Sequence, residues 1–185
     1  MINRKFFFDQ VRVSLFEGKL TTSQVTGLTA ILDEWDAKHA KKDDRWLAYM
    51  LATTHHETDR KIQPIEEYGR GKNRDYGKPD PVTGKAYYGR GFVQLTWKYN
   101  YEKVSKVVAA DLVQKPERAL ELPIATTILF YGMMNGSFTG KKLANYFSPT
   151  VEDWRNARRI INGTDKAQAI ASYGRAYYAS LSHTT

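Results

Sequence analysis

The chain contains no cysteine, which excludes disulfides, thiolate nucleophiles and cysteine metal sites, and fits folding in a reducing compartment. It also lacks any apolar run near the ~20 residues needed to span a membrane. The start, "MINRKFFFDQVRV", is basic but has only three consecutive phenylalanines before Asp9. It has neither the apolar stretch nor the small-residue cleavage site of a secretory signal. Internal repeats, low-complexity tracts and Gly/Ser linkers are missing too, which argues against a second independent domain. Negative charge is scarce relative to positive, with 20 Asp and Glu against 28 Lys and Arg, a formal balance of +8. Such a surface favours polyanionic partners: nucleic acid, lipopolysaccharide, anionic lipid or the bacterial wall. The cations are spread along the chain, and no single helix forms a basic stripe, so nucleic-acid binding is disfavoured. The C-terminal stretch has only Lys166 and Arg175 as cations, with Asp165 near its start, and stable membrane insertion is not expected.

What is present is enough for a real core: 185 residues, 42% apolar and 13% aromatic. The first 57 residues read as three helices. Phe8, Val11 and Leu15 share a face, and "EGK" at Glu17–Lys19 closes that segment. Thr21 and Gln24 form a capping box ahead of Leu28, Ile31, Leu32 and Trp35. Trp46, Leu47, Met50, Leu51 and Thr54 begin a third helix that ends near Glu57. From Thr58 to Gly91 prolines and glycines predict a long irregular segment with a short β-hairpin, a length that is uncommon unless functional. Helices are then predicted over Trp97–Ala110, Pro123–Met134, Val151–Ile161 and Lys166–Leu181, with Thr150 and Asp165 as N-caps. The expected fold class is mainly α.

Within this frame, "HHETDRKIQPIEEYG" gathers Glu57, Glu66 and Glu67 within eleven positions. Glycoside hydrolysis needs one carboxylic acid to protonate the leaving oxygen and one carboxylate to activate water or attack the sugar. Glu57 would lie at a helix C-terminus, where exposed carbonyls disfavour negative charge. Glu66 and Glu67 would lie on an exposed loop. Two carboxyls in unlike environments suit an acid and a base, although surface glutamates are common and the spacing is a weak signal. "HHETD" is not the zinc pattern H-E-x-x-H, so no metal site is expected. His56 is expected to orient a neighbour or ligand, and His55 to pack or face solvent. A second cluster, "YYGRGFVQLTWKYNYE", places Gly89 and Gly91 around Arg90 and follows them with Gln94, Thr96, Trp97, Tyr99 and Asn100. Aromatic faces with hydroxyl and amide groups suit sugar recognition. The same residues would also make a tight hairpin leading into an amphipathic helix.

Taken in order, "HET", "QPIEEYG", "YYGRGFVQLTWKYNY" and "RRIINGT" resemble the family 19 glycoside hydrolases, which include plant-type chitinases and many phage endolysins. The resemblance runs over about residues 46–180, so residues 1–45 would be N-terminal helices attached to a family 19-like catalytic region in a single domain, 1–185. It implies a lysozyme-like, chitinase-type helical fold. It also implies Glu57 as general acid, Glu67 as general base with Glu66 as the alternative, and Thr96 holding the attacking water. Substrate-binding positions would be His56, Tyr88, Gln94, Tyr99, Asn100, Asn162 and Arg175. The implied mechanism is inverting, with carboxyls ~6.5–9.5 Å apart, and needs neither metal nor organic cofactor. The family's "HETGG" is "HETDR" here, the plant disulfides are missing and the acid–base interval is shorter. Together with the basic charge, these departures point to a phage endolysin, a muramidase acting on peptidoglycan glycan strands, with a chitinase as the alternative. Such a protein would be a monomer made in the host cytoplasm and released to the wall through a separate holin-type pore. Lipopolysaccharide or the anionic wall surface would be further partners.

Overall fold

The computed structural model describes residues 1–184. Six helices dominate: α1 (Arg4–Ser14), α2 (Thr22–Lys38), α3 (Asp44–Glu57), α4 (Lys98–Val108), α5 (Leu122–Asn135) and α6 (Ala167–Ala179). Two short antiparallel pairs join them, β1 (Ile65–Glu66) with β2 (Arg90–Gly91), and β3 (Phe147–Ser148) with β4 (Val151–Glu152). The expected mainly helical class, with a hairpin in the central segment, is what forms.

Local signals account for the first three helices. Asn3 caps α1 by accepting from the Phe6 amide at 3.1 Å. Past its end the chain turns at Gly18, φ +84°, whose amide reaches back to the Arg12 carbonyl at 2.8 Å. On α2 the capping box is complete: Gln24 N donates to Thr21 Oγ1 at 3.1 Å and Thr21 N to Gln24 Oε1 at 2.9 Å. Leu28, Ile31, Leu32 and Trp35 form one buried stripe.

The α3 helix is different, because every residue from Leu47 to His55 is buried. It therefore runs through the middle of the molecule, enclosed on all sides. The most extensive packing against it comes from α6, which presents Ile170, Ala171, Gly174 and Tyr177. Burial of each large apolar side chain there contributes about 2 kcal/mol. Glu57 ends this helix, so the most deeply packed element carries the first carboxylate.

Two expectations need correction. Val151–Ile161 is not an α-helix with Thr150 as its cap. Val151 and Glu152 form β4, Thr150 lies in the β3–β4 turn, and only Asn156–Ile160 coils, as a 3-10 turn. The Asp153 side chain takes the Asn156 amide at 3.0 Å and its Nδ2 at 2.8 Å, a local alternative to helix. Trp154 is buried against Phe147 and Tyr49, and Arg45 Nη2 holds the Ser148 carbonyl at 2.8 Å. Tertiary packing thus overrides the helical spacing. Nor does Asp165 cap α6, whose N-cap is Lys166 at φ +56° without a side-chain bond. The Asp165 carbonyl instead accepts from Arg158 Nε at 3.2 Å.

Candidate active site

A cleft of about 450 Å³ is lined by the end of α3, the segment 93–100 and the turn around Arg158. Its walls include Glu57, Gln94, Thr96, Tyr99, Asn100 and Asn162, six residues singled out in the sequence. Arg74, Tyr76, Trp97, Phe138, Arg158 and Ile161 join them.

Just past Glu57 the chain leaves α3 in a tight turn. Thr58 Oγ1 donates to the Thr54 carbonyl at 2.7 Å and accepts from the Ile62 amide at 3.0 Å. Asp59, Arg60 and Ile62 all have positive φ, of 50°, 63° and 51°. The glycines expected in "HETGG" would adopt that conformation without strain, whereas side-chain-bearing residues do so at a cost of about 1–2 kcal/mol each. The Glu57 carboxylate is ion-paired with Arg158, and the two side chains are 14% and 5% exposed. His56 beside it is half-buried, and desolvation holds its imidazole below the usual histidine range despite the favourable charge of Glu57. His55 packs in the core, with Nδ1 3.0 Å from the Tyr177 hydroxyl, and burial pushes its pKa down to about 4.

Glu66 ends β1 and Glu67 follows it, and the two adjacent side chains go to different partners. Glu66 accepts from the Tyr88 hydroxyl at 2.7 Å and pairs with Arg70 at 2.9 Å, with Arg90 Nε 3.6 Å away. The Tyr88 hydrogen bond, with Arg70 and Arg90, holds its carboxyl below the ordinary carboxylate range. Arg90 is buried, lies 3.7 Å over the Tyr88 ring and donates to Tyr101 Oη at 3.0 Å. Glu67 accepts from Tyr76 Oη and from the Gly89 amide, both at 3.1 Å, and Tyr76 is itself a cleft wall residue. Packing at Gly89 is close, since a Cβ there would stand 2.9 Å from Gln94 Oε1 and 3.3 Å from Glu67 Cβ.

The third wall, "QLTWKYN", is strained: Gln94 and Trp97 have φ of 53° and 71°. Strain of this kind persists only where surrounding contacts impose it. Gln94 Nε2 bonds the Ile65 carbonyl at 3.1 Å, tying this wall to β1. Asn100 Nδ2 donates to the Thr96 carbonyl at 2.8 Å. Trp97 and Tyr99, 40% and 61% exposed, stack with ring centroids 6.4 Å apart, and Tyr76 meets Trp97 edge-on at 5.4 Å. The result is an aromatic rim. Opposite lies Phe138, whose seat on α5 depends on Gly132, where a Cβ would fall 2.0 Å from the ring.

Five of the residues singled out lie outside this lining: Glu66, Glu67, His56, Tyr88 and Arg175, of which Glu67 reaches it through Tyr76. His56 adjoins Glu57 in the chain, and Tyr88 is hydrogen-bonded to Glu66. Arg175 is on the exposed face of α6, 6.0 Å from the Trp154 ring. Sequence reading missed Arg158, Arg74, Tyr76, Phe138 and Ile161. Arg158 lies within the quoted "RRIINGT" block, four residues before Asn162, and that spacing was the available signal. Among the described residues no group of three or more His, Asp or Glu is placed to hold a metal ion, and no helix is long and apolar enough to cross a membrane.

Comparison with known proteins places this geometry. The geometry is that of a mainly helical domain with a cleft cut beside its central helix and a carboxylate at the end of that helix. The chain belongs to glycoside hydrolase family 19: the family pattern described as chitinase class I matches residues 34–137, more than half of it. An endochitinase of Arabidopsis thaliana is 36% identical over 95 residues, covering 51% of this chain and 33% of that protein. Endochitinase 1 of Theobroma cacao is 42% identical over 55 residues, or 27% of this chain and 17% of that protein. The chain thus spans a third or less of the length of these plant relatives. The fold matches a bacterial family 19 chitinase with a TM-score of 0.64 at 19% identity, covering 95% of this chain and 92% of that one. A class IV chitinase of Zea mays gives 0.62 at 18% identity, covering 93% and 90%.

Proposed function

We propose that this protein hydrolyses β-1,4 glycosidic bonds in the glycan strands of bacterial peptidoglycan, with inversion at the anomeric carbon. The observation that carries the reading is the cleft itself, with Glu57 on one wall and Glu67 hydrogen-bonded to a second wall through Tyr76. Glu57 gives its proton to the leaving glycosidic oxygen, and Arg158 orients its carboxyl. Glu67 takes a proton from the water that attacks the anomeric carbon, and the Thr96 hydroxyl holds that water. Glu67 is favoured over Glu66 because its partner Tyr76 lines the cleft, whereas Glu66 is engaged by Tyr88 and Arg70, neither of which does. Asn100 and Asn162 face the N-acetyl groups, and Gln94, Trp97 and Tyr99 supply the rim on which sugar rings stack.

Chitin is the alternative substrate, since the relatives are named as chitinases. Peptidoglycan is preferred for two reasons. The chain carries a net charge of +8, and chitin offers no negative charge to meet it, whereas the wall does. The charged residues of the cleft lining are Glu57, Arg158 and Arg74, so the lining is net cationic whether or not Glu57 carries its proton, and Arg74 has no acidic partner there. As a phage endolysin the protein would act as a monomer on the wall after release through a separate pore, with lipopolysaccharide or the anionic wall surface as a secondary partner. Purified Gram-negative peptidoglycan and N-acetylglucosamine oligomers, offered separately, test the reading. Soluble fragments from the first, with new ends in the α configuration by proton NMR, are expected. Turnover of the oligomers alone would reassign the protein as a chitinase, and β ends would remove the inverting mechanism.

A further inference from the structure

The loop between Glu67 and Tyr76, "YGRGKNRD", has no role in the reaction described above, yet it is built rigidly and presents three cations. Four successive backbone bonds close it: Arg70 N to Glu67 O at 2.9 Å, Lys72 N to Gly69 O at 2.8 Å, Arg74 N to Gly71 O at 2.9 Å and Gly77 N to Arg74 O at 3.1 Å. Gly71 within it packs face to face with Gly77 just beyond it, and a Cβ on Gly71 would lie 2.5 Å from Gly77 Cα. Arg70 and Asn73 are held at φ of 45° and 63° without being glycine. The turn is therefore fixed, and the side chains it exposes project from defined positions.

Charge on this loop is unevenly compensated. Arg70 pairs with Glu66, and Asp75 pairs with Lys78 at 2.7 Å. Among the described residues Lys72 and Arg74 make no ion pair, and Arg74 lines the cleft. Arg74 and Tyr76 both line the cleft, and Tyr76 Oη donates to Glu67 at 3.1 Å, so the cation lies on the wall that holds the candidate base. A cation carried on that wall by a braced loop, with no acid of its own, is placed to hold an anion brought by the substrate. Polymers of N-acetylglucosamine carry only hydroxyl and amide groups. The glycan of the bacterial wall carries carboxylates on every second sugar, either in the attached peptide or on the lactyl ether left when the peptide is removed.

We infer that Arg74, supported by Lys72, forms a subsite for the substrate's carboxylates and selects carboxylate-bearing glycan over neutral glycan. This rests on the proposed function and names what in its substrate is recognised. A guanidinium can grip a carboxylate with two parallel bonds, and an ammonium can supply charge but not that fork.

Arg74→Gln/Lys72→Gln and Arg74→Lys test it through a ratio: activity on carboxylate-bearing glycan over activity on N-acetylglucosamine oligomers, each as kcat/KM. The first substrate is supplied as peptide-bearing strands and as strands stripped by an amidase, which retain only the lactyl carboxylate. The double variant is expected to lower the ratio by roughly tenfold or more, chiefly through KM, and Arg74→Lys by less. A fall with peptide-bearing strands alone assigns the peptide carboxylates, and a fall with both assigns the lactyl group. An unchanged ratio overturns the inference. A separate measurement keeps it distinct from the functional reading: binding of Glu57→Gln protein to insoluble wall and to chitin. If wild type releases nothing from peptidoglycan, the functional reading fails. Arg74-dependent preference of Glu57→Gln for wall over chitin would still uphold the subsite, and no such preference would overturn it.

Discussion

The α3 helix and the segment that follows it are consecutive in the chain but are held by opposite means. Apolar packing holds α3 from all sides, in regular geometry. The stretch from Thr58 to Trp97 has little regular structure and is held by side-chain hydrogen bonds, short turns and ion pairs. Seven of the ten described non-glycine residues at positive φ lie between Asp59 and Trp97. Strain is concentrated where the candidate base, the basic loop and the aromatic rim are found, and it is absent from the helix that presents the candidate acid. The comparison teaches a division of labour. One carboxylate is fixed at the end of a helix buried on all sides, and the other by hydrogen bonds in an irregular segment that Ile62, Phe92 and Leu95 anchor to the same core.

Four changes would break or sharpen this contrast. The largest effect is expected from Glu57→Gln, which removes the transferable proton and should lower activity by about 10³-fold. The protein should remain folded but lose some stability, because Arg158 is left without its counter-charge. Circular dichroism and a thermal melt alongside the assay would check both. Leu51→Ala strikes the core, and chemical denaturation should report a loss of about 3 kcal/mol.

The third change concerns pH. His55 titrates near 4 when folded and near 6.5 when unfolded, so the unfolded chain takes up the proton first. Its contribution to stability is fully present above pH 6.5 and is lost as pH falls towards 4, by at most about 3 kcal/mol. Denaturation across that window should show the slope in wild type and a flatter line in His55→Gln. Glu66, held below the ordinary carboxylate range, adds its own loss only at more acidic pH. The smallest effect lies in the polar lobe: Asp59→Gly or Arg60→Gly should each raise stability by about 0.5–1 kcal/mol by relieving positive φ. The Arg60–Glu17 ion pair lost in the second is exposed and contributes little. A destabilised Arg60→Gly in a melt would show that this pair outweighs the strain.

The helical half was legible because its signals are local: caps, a glycine stop and apolar spacing at α1, α2 and α3. The polar lobe was legible only in outline. That a hairpin would lie between Thr58 and Gly91 follows from its turn residues, but which of Glu66 and Glu67 meets Tyr76 depends on strand register. Arg158 was hidden because its partner Glu57 lies 101 positions away, and no local pattern joins them. The false helix at Val151–Ile161 has the same origin, since the burial of Trp154 and the grip of Arg45 on the Ser148 carbonyl come from distant parts of the chain.

The most direct test of the central claim is digestion of purified Gram-negative peptidoglycan by wild type and by folded Glu57→Gln, with products reduced by borohydride and identified by mass spectrometry. Wild type should release fragments ending in reduced muramic acid, and the variant should release almost none. Normal release by Glu57→Gln would contradict the assignment of the acid. Reduced glucosamine ends would keep the carboxylate mechanism but move the cut to the other bond.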